Sequence, residues 1–113
     1  MHRIVRYMYR ESLKGHLELL LLAVLRDGPA HGYAIIEALR ERSEGAFDLA
    51  EGTIYPALHR LEAAGLLASR WSEASGRRRR VYRVTRRGTA ALSREQTQWS
   101  DFSRAVNLVL ESA

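Results

Sequence analysis

The 113-residue sequence contains no cysteine. Disulfides, thiolate zinc sites and cysteine nucleophiles are therefore excluded, and the composition is compatible with a reducing cytoplasm. The sequence also lacks an apolar run near the roughly 20 residues that span a bilayer, since Glu18 interrupts the run from Leu17 to Leu25. It has no signal-peptide pattern. We therefore expect a cytoplasmic protein with no membrane partner.

The motifs of common enzyme classes are missing as well. The sequence has no Gly-x-Ser-x-Gly and no glycine-rich phosphate loop. Its histidines fall in different predicted elements: His2, His16, His31 and His59. We therefore expect no enzyme, no catalytic residue, no cofactor and no metal site. A metal sensor would need a dimer interface that joins histidines of two subunits, and no spacing supports one.

Basic charge is what the chain does have, with a net charge of +5. A basic domain favours nucleic acid or another anionic surface as its partner. Lys14 is the only lysine among 18 basic residues. Such an excess of arginine over lysine arises from a bias in codon composition as well as from selection for phosphate contacts. The positions of the arginines therefore carry more information than their number.

Apolar spacing and turn residues predict helices over 13–27, 32–42, 51–65 and 86–111, the last one capped by Thr85. Residues 66–73 and 80–84 alternate as two strands around a turn at 74–77. Residues 2–12 fit a short amphipathic helix or a mobile basic arm. The fold class is mainly α with a small β-hairpin: a winged helix-turn-helix in residues 1–84, then a long C-terminal dimerisation helix in 85–113.

The third helix has the pattern of a recognition helix. At 100° per residue one face is apolar, formed by Ile54, Ala57, Leu58 and Leu61. The other side and its flanks carry candidate DNA contacts: Thr53, Tyr55, His59 and Arg60. A helix that docks by one face and presents polar groups on the other can enter a DNA major groove. An ordinary amphipathic surface helix fits this stretch alone equally well.

The hairpin turn carries a run of four arginines, Arg77, Arg78, Arg79 and Arg80. Guanidinium groups at a hairpin tip can bind phosphates or enter the minor groove. A solvated charge run is the alternative, and a recognition helix directly upstream makes it the weaker one. Lys14, and Tyr33 with an inward ring and an outward hydroxyl, are further candidates for contact with the DNA backbone.

The last helix carries an apolar stripe within an arc of about 100°, formed by Leu92, Trp99, Phe102, Val106, Val109 and Leu110. At 1.5 Å per residue this helix is about 40 Å long, which is longer than the winged helix-turn-helix that precedes it can cover. The stripe therefore needs cover from a second subunit. We expect a two-fold homodimer in which this helix pairs with its copy.

Four stretches of the sequence form a recognisable set: Gly52–Glu62, Gly65–Leu67, Gly76–Thr85 with Gly88, and His31–Tyr33 with Ile36. Together they resemble the PadR family of bacterial transcriptional regulators. The resemblance covers about residues 13–92. It implies a winged-helix protein that binds double-stranded DNA as a homodimer, usually as a repressor, here on an inverted-repeat operator. The alternative function is a winged-helix module for protein–protein contact without DNA binding.

The short C-terminal segment, residues 85–113, resembles that of the subgroup of this family with a single C-terminal helix. Some members of that subgroup hold flat aromatic drugs between the C-terminal helices of the dimer, stacked on a tryptophan. Trp99 lies at a similar place, and Glu95 in the same stripe would pair with a cationic ligand. A tryptophan in an apolar stripe is also ordinary dimer core, so both roles remain open for Trp99.

Overall fold

The computed structural model describes residue 13 and residues 15–112. Lys14 and the segment 2–12 lie outside the described residues, so the predictions made for them are not addressed. The elements are α1 (Leu17–Arg26), β1 (Ala30–His31), α2 (Gly32–Arg42), α3 (Glu51–Ala63), β2 (Leu67–Ser72), a 3-10 turn (Ala74–Gly76), β3 (Arg79–Val84) and α4 (Arg86–Glu111). The predicted fold class, three helices, a hairpin and a long last helix, is confirmed.

The sheet has one strand more than the sequence predicts. β3 is central and pairs antiparallel with β2 on one side and with the two-residue β1 on the other. In the short ladder, Ala30 lies opposite Tyr82 and His31 lies opposite Val81. A strand of two residues has no alternation to detect in the sequence. Its consequence is functional, because β1 attaches the start of α2 to the hairpin.

One cluster of buried side chains joins α1, α2, α3, the sheet and the start of α4. We call residues 1–84, the part of the chain before α4, the head. It includes Leu17, Leu21, Leu25, Ile35, Leu39, Ile54, Leu58, Leu61, Tyr82 and Leu92. Each large apolar side chain that is fully buried contributes about 1.5–3 kcal/mol relative to exposure. Each of these side chains is at most 7% exposed within the single chain, so the head closes its core without a second subunit.

Two predicted orientations are wrong. Tyr33 is not turned inward but is 62% exposed, because Ile35, Ile36 and Leu39 form the buried face of α2. Leu92 does not lie on the uncovered part of α4: it is 3% exposed, since the first turns of α4 pack on the head of the same chain. The stripe available to a second subunit is therefore shorter than predicted, and the Tyr33 side chain lies at the surface.

The start of α4 is fixed to the head by a cap. The Thr85 hydroxyl accepts the backbone N–H of Gly88 at 3.0 Å, as predicted for an N-cap, and donates to the carbonyl of Gly65 at 2.7 Å. A Cβ on Gly88 would overlap the carbonyl oxygen of Leu66. Only glycine allows the helix to begin this close to β2. The direction in which α4 leaves the head is therefore set by this junction.

Beyond Leu92, the apolar side of α4 is exposed among the described residues. The exposed residues of this apolar stripe are Trp99, Phe102, Val106, Val109 and Leu110. Val109 and Leu110 are 75% and 74% exposed. A contiguous exposed apolar surface of this kind marks an interaction site. Among the described residues, no helix has the length and apolar character needed to cross a membrane.

Candidate nucleic-acid interface

Helix α3 has the predicted two-sided character. Ile54, Ala57, Leu58 and Leu61 are buried, whereas Thr53, His59 and Arg60 are exposed. The helix ends at Ala63, and Gly65 follows with a positive φ of 79° that suits the exit from a helix. The core therefore holds one side of α3 and leaves its polar side available to a partner.

Tyr55 is more constrained than a free surface side chain. Its ring is partly buried and packs on the core. A Cβ on Gly32 would lie 2.5 Å from Cζ and 2.7 Å from Cε1 of this ring. The absent side chain at the start of α2 thus gives the phenol its place between the two helices. Tyr55 consequently fixes the spacing of α2 and α3, in addition to its predicted role as a DNA contact.

The hairpin is the wing of the fold, and its arginines form two groups by position. In the β2–β3 ladder, Trp71 lies opposite Arg80 and Ser72 opposite Arg79. Arg77 and Arg78 precede β3 and are exposed, and Arg79 is half-buried. The predicted arginine-rich tip is therefore confirmed as a tip, with the last two arginines inside the strand.

A hydrogen-bonded chain ties the wing to α3. Nε of Arg80 donates to Oγ of Ser69 at 2.8 Å, and that hydroxyl donates to Oε2 of Glu62 at 2.6 Å. Arg80 and Glu62 also form an ion pair at 3.8 Å. Sequence reasoning missed Glu62 and Ser69, because their roles depend on how α3 lies over the sheet. These hydrogen bonds hold the wing and α3 together as one unit.

Trp71 was also missed as a functional residue. The guanidinium carbon of Arg78 lies 4.4 Å from the centre of its ring, and that of Arg80 lies 5.2 Å away. Both distances are within the range of cation–π attraction. Trp71 itself is 51% exposed on β2. The signal in the sequence was an aromatic residue on the strand that faces an arginine run across a tight hairpin.

Arg79 has a different partner. Its Nη1 lies 2.8 Å from Nε2 of His31, and Nδ1 of the same ring lies 3.3 Å from the backbone nitrogen of Ala34 at the start of α2, so a neutral ring accepts from one of these two donors at a time. Burial, and then the positive charge of Arg79, lower the pKa of His31 from its usual 6.5. The neutral ring is therefore favoured, as an acceptor for arginine requires.

These elements enclose an open groove between the wing and the first turns of α2 and α3, with a volume of about 480 Å³. We call it the wing groove. It is lined by His31, Tyr33, Glu51, Tyr55, Trp71, Arg77, Arg78, Arg79 and Arg80. The structure thus gathers six of the predicted DNA contacts in one place. Thr53, His59 and Arg60 lie outside this groove on the exposed side of α3.

A second site lies where α4 passes α1. Glu95 and Trp99 line a hollow of about 180 Å³ together with Gly15, His16, Leu19, Gln98 and Phe102. The His16 and Trp99 rings form a T-shaped pair with centroids 4.9 Å apart. The two residues predicted for a ligand are therefore neighbours here. Within the part of the chain that is described, no group of three metal-ligating side chains is assembled.

Three helices with a basic wing define a winged-helix transcriptional regulator of the DNA-binding class. The chain belongs to the Transcriptional regulator PadR-like family, whose model matches residues 21–94. The resemblance noted in the sequence is thereby confirmed, and the family is one of regulators rather than enzymes.

The similarity extends over nearly the whole chain. Transcriptional regulator Rv3488 of Mycobacterium tuberculosis is 38% identical over 97 residues, which span 86% of this chain and 88% of that protein. The crystal structure of a PadR family transcriptional regulator from Eggerthella lenta superposes with a TM-score of 0.84 at 35% identity, covering 98% of this chain and 96% of that one. A PadR-like regulator from Bacillus cereus gives a TM-score of 0.81 at 29% identity, covering 91% and 99%.

Proposed function

We propose that this protein is a homodimeric repressor that binds an inverted-repeat operator, with one recognition helix for each half-site. The observation that carries the proposal is the wing groove, where four wing arginines lie beside the start of α3. A basic wing next to a helix with one free polar side suits simultaneous contact with the phosphate backbone and a groove.

The roles of individual residues follow from their placement. Thr53, His59 and Arg60 project from the exposed side of α3, so they are assigned to the major groove. Arg77 and Arg78 at the exposed tip are assigned to phosphates or the adjacent minor groove. Tyr33 is exposed at the groove edge, where its hydroxyl suits a phosphate. Tyr55 is assigned a DNA contact through its hydroxyl group. Lys14 remains assigned to the phosphate backbone of the DNA.

Dimerisation is assigned to residues 85–113. The apolar stripe of α4 begins at Trp99 and continues to Leu110, and its side chains are 38% to 75% exposed in the described part of the chain. A two-fold axis along this stripe would place identical apolar faces together and hold two heads at a fixed separation. The head, residues 1–84, then acts as the reading unit and α4 as the spacer.

An effector site is assigned to the hollow at Trp99. The ring gives a flat apolar surface, and Glu95 in the same hollow gives a negative charge. These two features suit a flat aromatic or cationic ligand, which the dimer would enclose from both sides. Because the stripe sets the distance between the heads, a ligand here would change how both recognition helices meet DNA.

The test is DNA binding to the protein's own upstream region, followed by fluorescence anisotropy as salt is varied. The wild type should bind, and log K should fall linearly with log salt. Arg77→Ala and Arg78→Ala should each weaken binding and reduce that slope by about 1. Arg104→Ala, an exposed arginine on α4, is the matched control and should leave the slope unchanged. Absent or salt-insensitive binding would instead favour the protein–protein module.

A further inference from the structure

The exposed indole of Trp71 has no role in the core or in the predicted DNA contacts. It is 51% exposed, an unusual position for a tryptophan on a strand. It faces the wing groove, and two guanidinium carbons lie within 5.2 Å of its ring centre. The role of this exposed ring therefore lies in its effect on the two arginine side chains beside it.

Strand geometry separates the arginine run. Side chains alternate along a strand, and directly opposite residues share a face. Arg80 lies opposite Trp71, so Arg80 and Arg78 are on the side of the ring, whereas Arg79 is on the other side and meets His31. The run of four is thus divided into a pair at the indole, a single residue at the start of α2 and Arg77, which is exposed at the tip.

The two arginines at the ring are not equivalent. The edge of Arg80 is engaged by Ser69 and Glu62, which connects it to α3. Arg78 is exposed at the tip and meets the ring at the shorter distance of 4.4 Å. A guanidinium that stacks on a ring uses its flat face, and its N–H donors remain directed outward in its plane. Stacked in this way, Arg78 would keep its bidentate edge for a phosphate while its flexible stem is held.

We propose that Trp71 is a positioning residue of the wing. Its ring holds Arg78 in the orientation that meets the DNA backbone, and Arg80, itself tied to Ser69 and Glu62, holds the ring in place. Arginine loses side-chain freedom when it binds a phosphate. Holding it on the indole before DNA arrives reduces that loss, and preorganisation of this kind increases affinity. The inference deepens the proposed function and depends on it for its DNA readout.

The first arm of the test uses the free full-length protein. In NMR spectra, the side-chain Nε–H signals of Arg78 and Arg80 should show ring-current shifts that disappear in Trp71→Leu and persist in part in Trp71→Phe. The Arg78→Lys variant assigns the signal of Arg78. Absence of these shifts in the wild type would overturn the proposal.

The second arm measures binding to a 24-base-pair duplex of arbitrary sequence at low salt, because phosphate contacts do not depend on sequence. Trp71→Leu should bind about two- to fivefold more weakly, as expected for one exposed cation–π contact. The slope against salt should not change, since no charge is lost. Trp71→Phe should recover most of the affinity, and circular dichroism should show all variants folded.

A double variant separates positioning from a general effect on the wing. Trp71→Leu should cost nothing further once Arg78→Ala is present, because the ring then has no free arginine to hold. Fully additive losses, or a wild-type affinity in Trp71→Leu, would overturn the inference and leave the proposed function intact. A wild type that binds no duplex would overturn the proposed function itself, and the assigned role of Trp71 with it.

Discussion

Arg79 and His31 connect the wing to the start of α2 through one imidazole ring. Nη1 of Arg79 lies 2.8 Å from Nε2, and the N–H of Ala34 lies 3.3 Å from Nδ1. A neutral imidazole has one acceptor nitrogen, so it accepts from one of these donors at a time, and an imidazolium accepts from neither. The helix cap and the wing contact therefore both require a neutral His31.

This relationship predicts that the protein loses stability in mild acid. Burial and the charge of Arg79 lower the pKa of His31 in the folded state below 6.5, its usual value. The unfolded chain therefore takes up the proton first as the pH falls. The contribution of His31 to the free energy of unfolding is present above 6.5 and decreases as the pH falls from 6.5 through the lowered pKa. Urea unfolding at several pH values measures this loss.

The control is His31→Asn. Asparagine is a strong helix N-cap and does not titrate, so the cap survives and the pH dependence should be flatter than in the wild type. The other three histidines, His2, His16 and His59, are present in both proteins, so the difference between the two curves isolates His31. Curves of identical shape would show that the contact has no energetic consequence.

Residue spacing was sufficient to predict the helices, the hairpin and the arginine tip, because each depends on local periodicity and turn residues. It was not sufficient for the partners of the arginines. Trp71 lies opposite Arg80 only in the observed β2–β3 register, and His31 reaches Arg79 only through the two-residue β1. The four consecutive arginines therefore lie in three environments that the sequence does not distinguish: the exposed tip, the Trp71 ring and the His31 contact.

The two wrong orientations have a related cause. Periodicity gives the width of an apolar face but does not say which neighbour covers each position. Leu92 belongs to the same stripe as Trp99, yet the head of its own chain covers Leu92 and leaves Trp99 45% exposed. Where one helix passes from a core to an interface, the boundary depends on tertiary packing.

The junction between the head and α4 predicts a severe effect for Gly88→Ala. The new Cβ would overlap the carbonyl of Leu66 and lie 2.7 Å from Cγ2 of Val84, so backbone must move. Overpacking of this kind costs about 1–3 kcal/mol. Thermal unfolding should show a clearly lower midpoint than in the wild type.

Gly52→Ala is the matched substitution for that experiment. A Cβ at Gly52, in α3, would have no heavy atom within 4 Å, and alanine is the better helix former. Its unfolding midpoint should equal or exceed that of the wild type. If Gly88→Ala behaved like Gly52→Ala, the close approach of α4 to β2 would not constrain the fold.

Charge on the apolar stripe should separate the subunits. Val106→Glu would place a carboxylate in the proposed dimer interface, whereas Thr97→Glu adds the same charge to the opposite side of α4, at about 160° from Trp99 by helical periodicity. Light scattering should give a monomer mass for the first variant and a dimer mass for the second. Both variants should retain helical circular dichroism, because the head closes its core within one chain.

The hollow at Trp99 predicts a fluorescence response. The chain has two tryptophans, so a Trp71→Phe background leaves Trp99 as the only indole. Flat cationic dyes should quench its emission, and Glu95→Gln should weaken that response by removing the negative charge. A dye series that causes no quenching would overturn the effector site and leave the DNA-binding proposal unaffected.

Loss of an arginine from the recognition helix and loss of one from the wing should affect DNA binding in different ways. Arg60 is exposed on the polar side of α3, so Arg60→Ala should change which base pairs are preferred, at a cost of about 1–3 kcal/mol for the preferred site. Arg77 is exposed at the wing tip, so Arg77→Ala should weaken all sequences alike. A panel of operators with single base-pair changes distinguishes the two patterns. A uniform loss in Arg60→Ala would place Arg60 on the phosphate backbone and leave base recognition to Thr53 and His59.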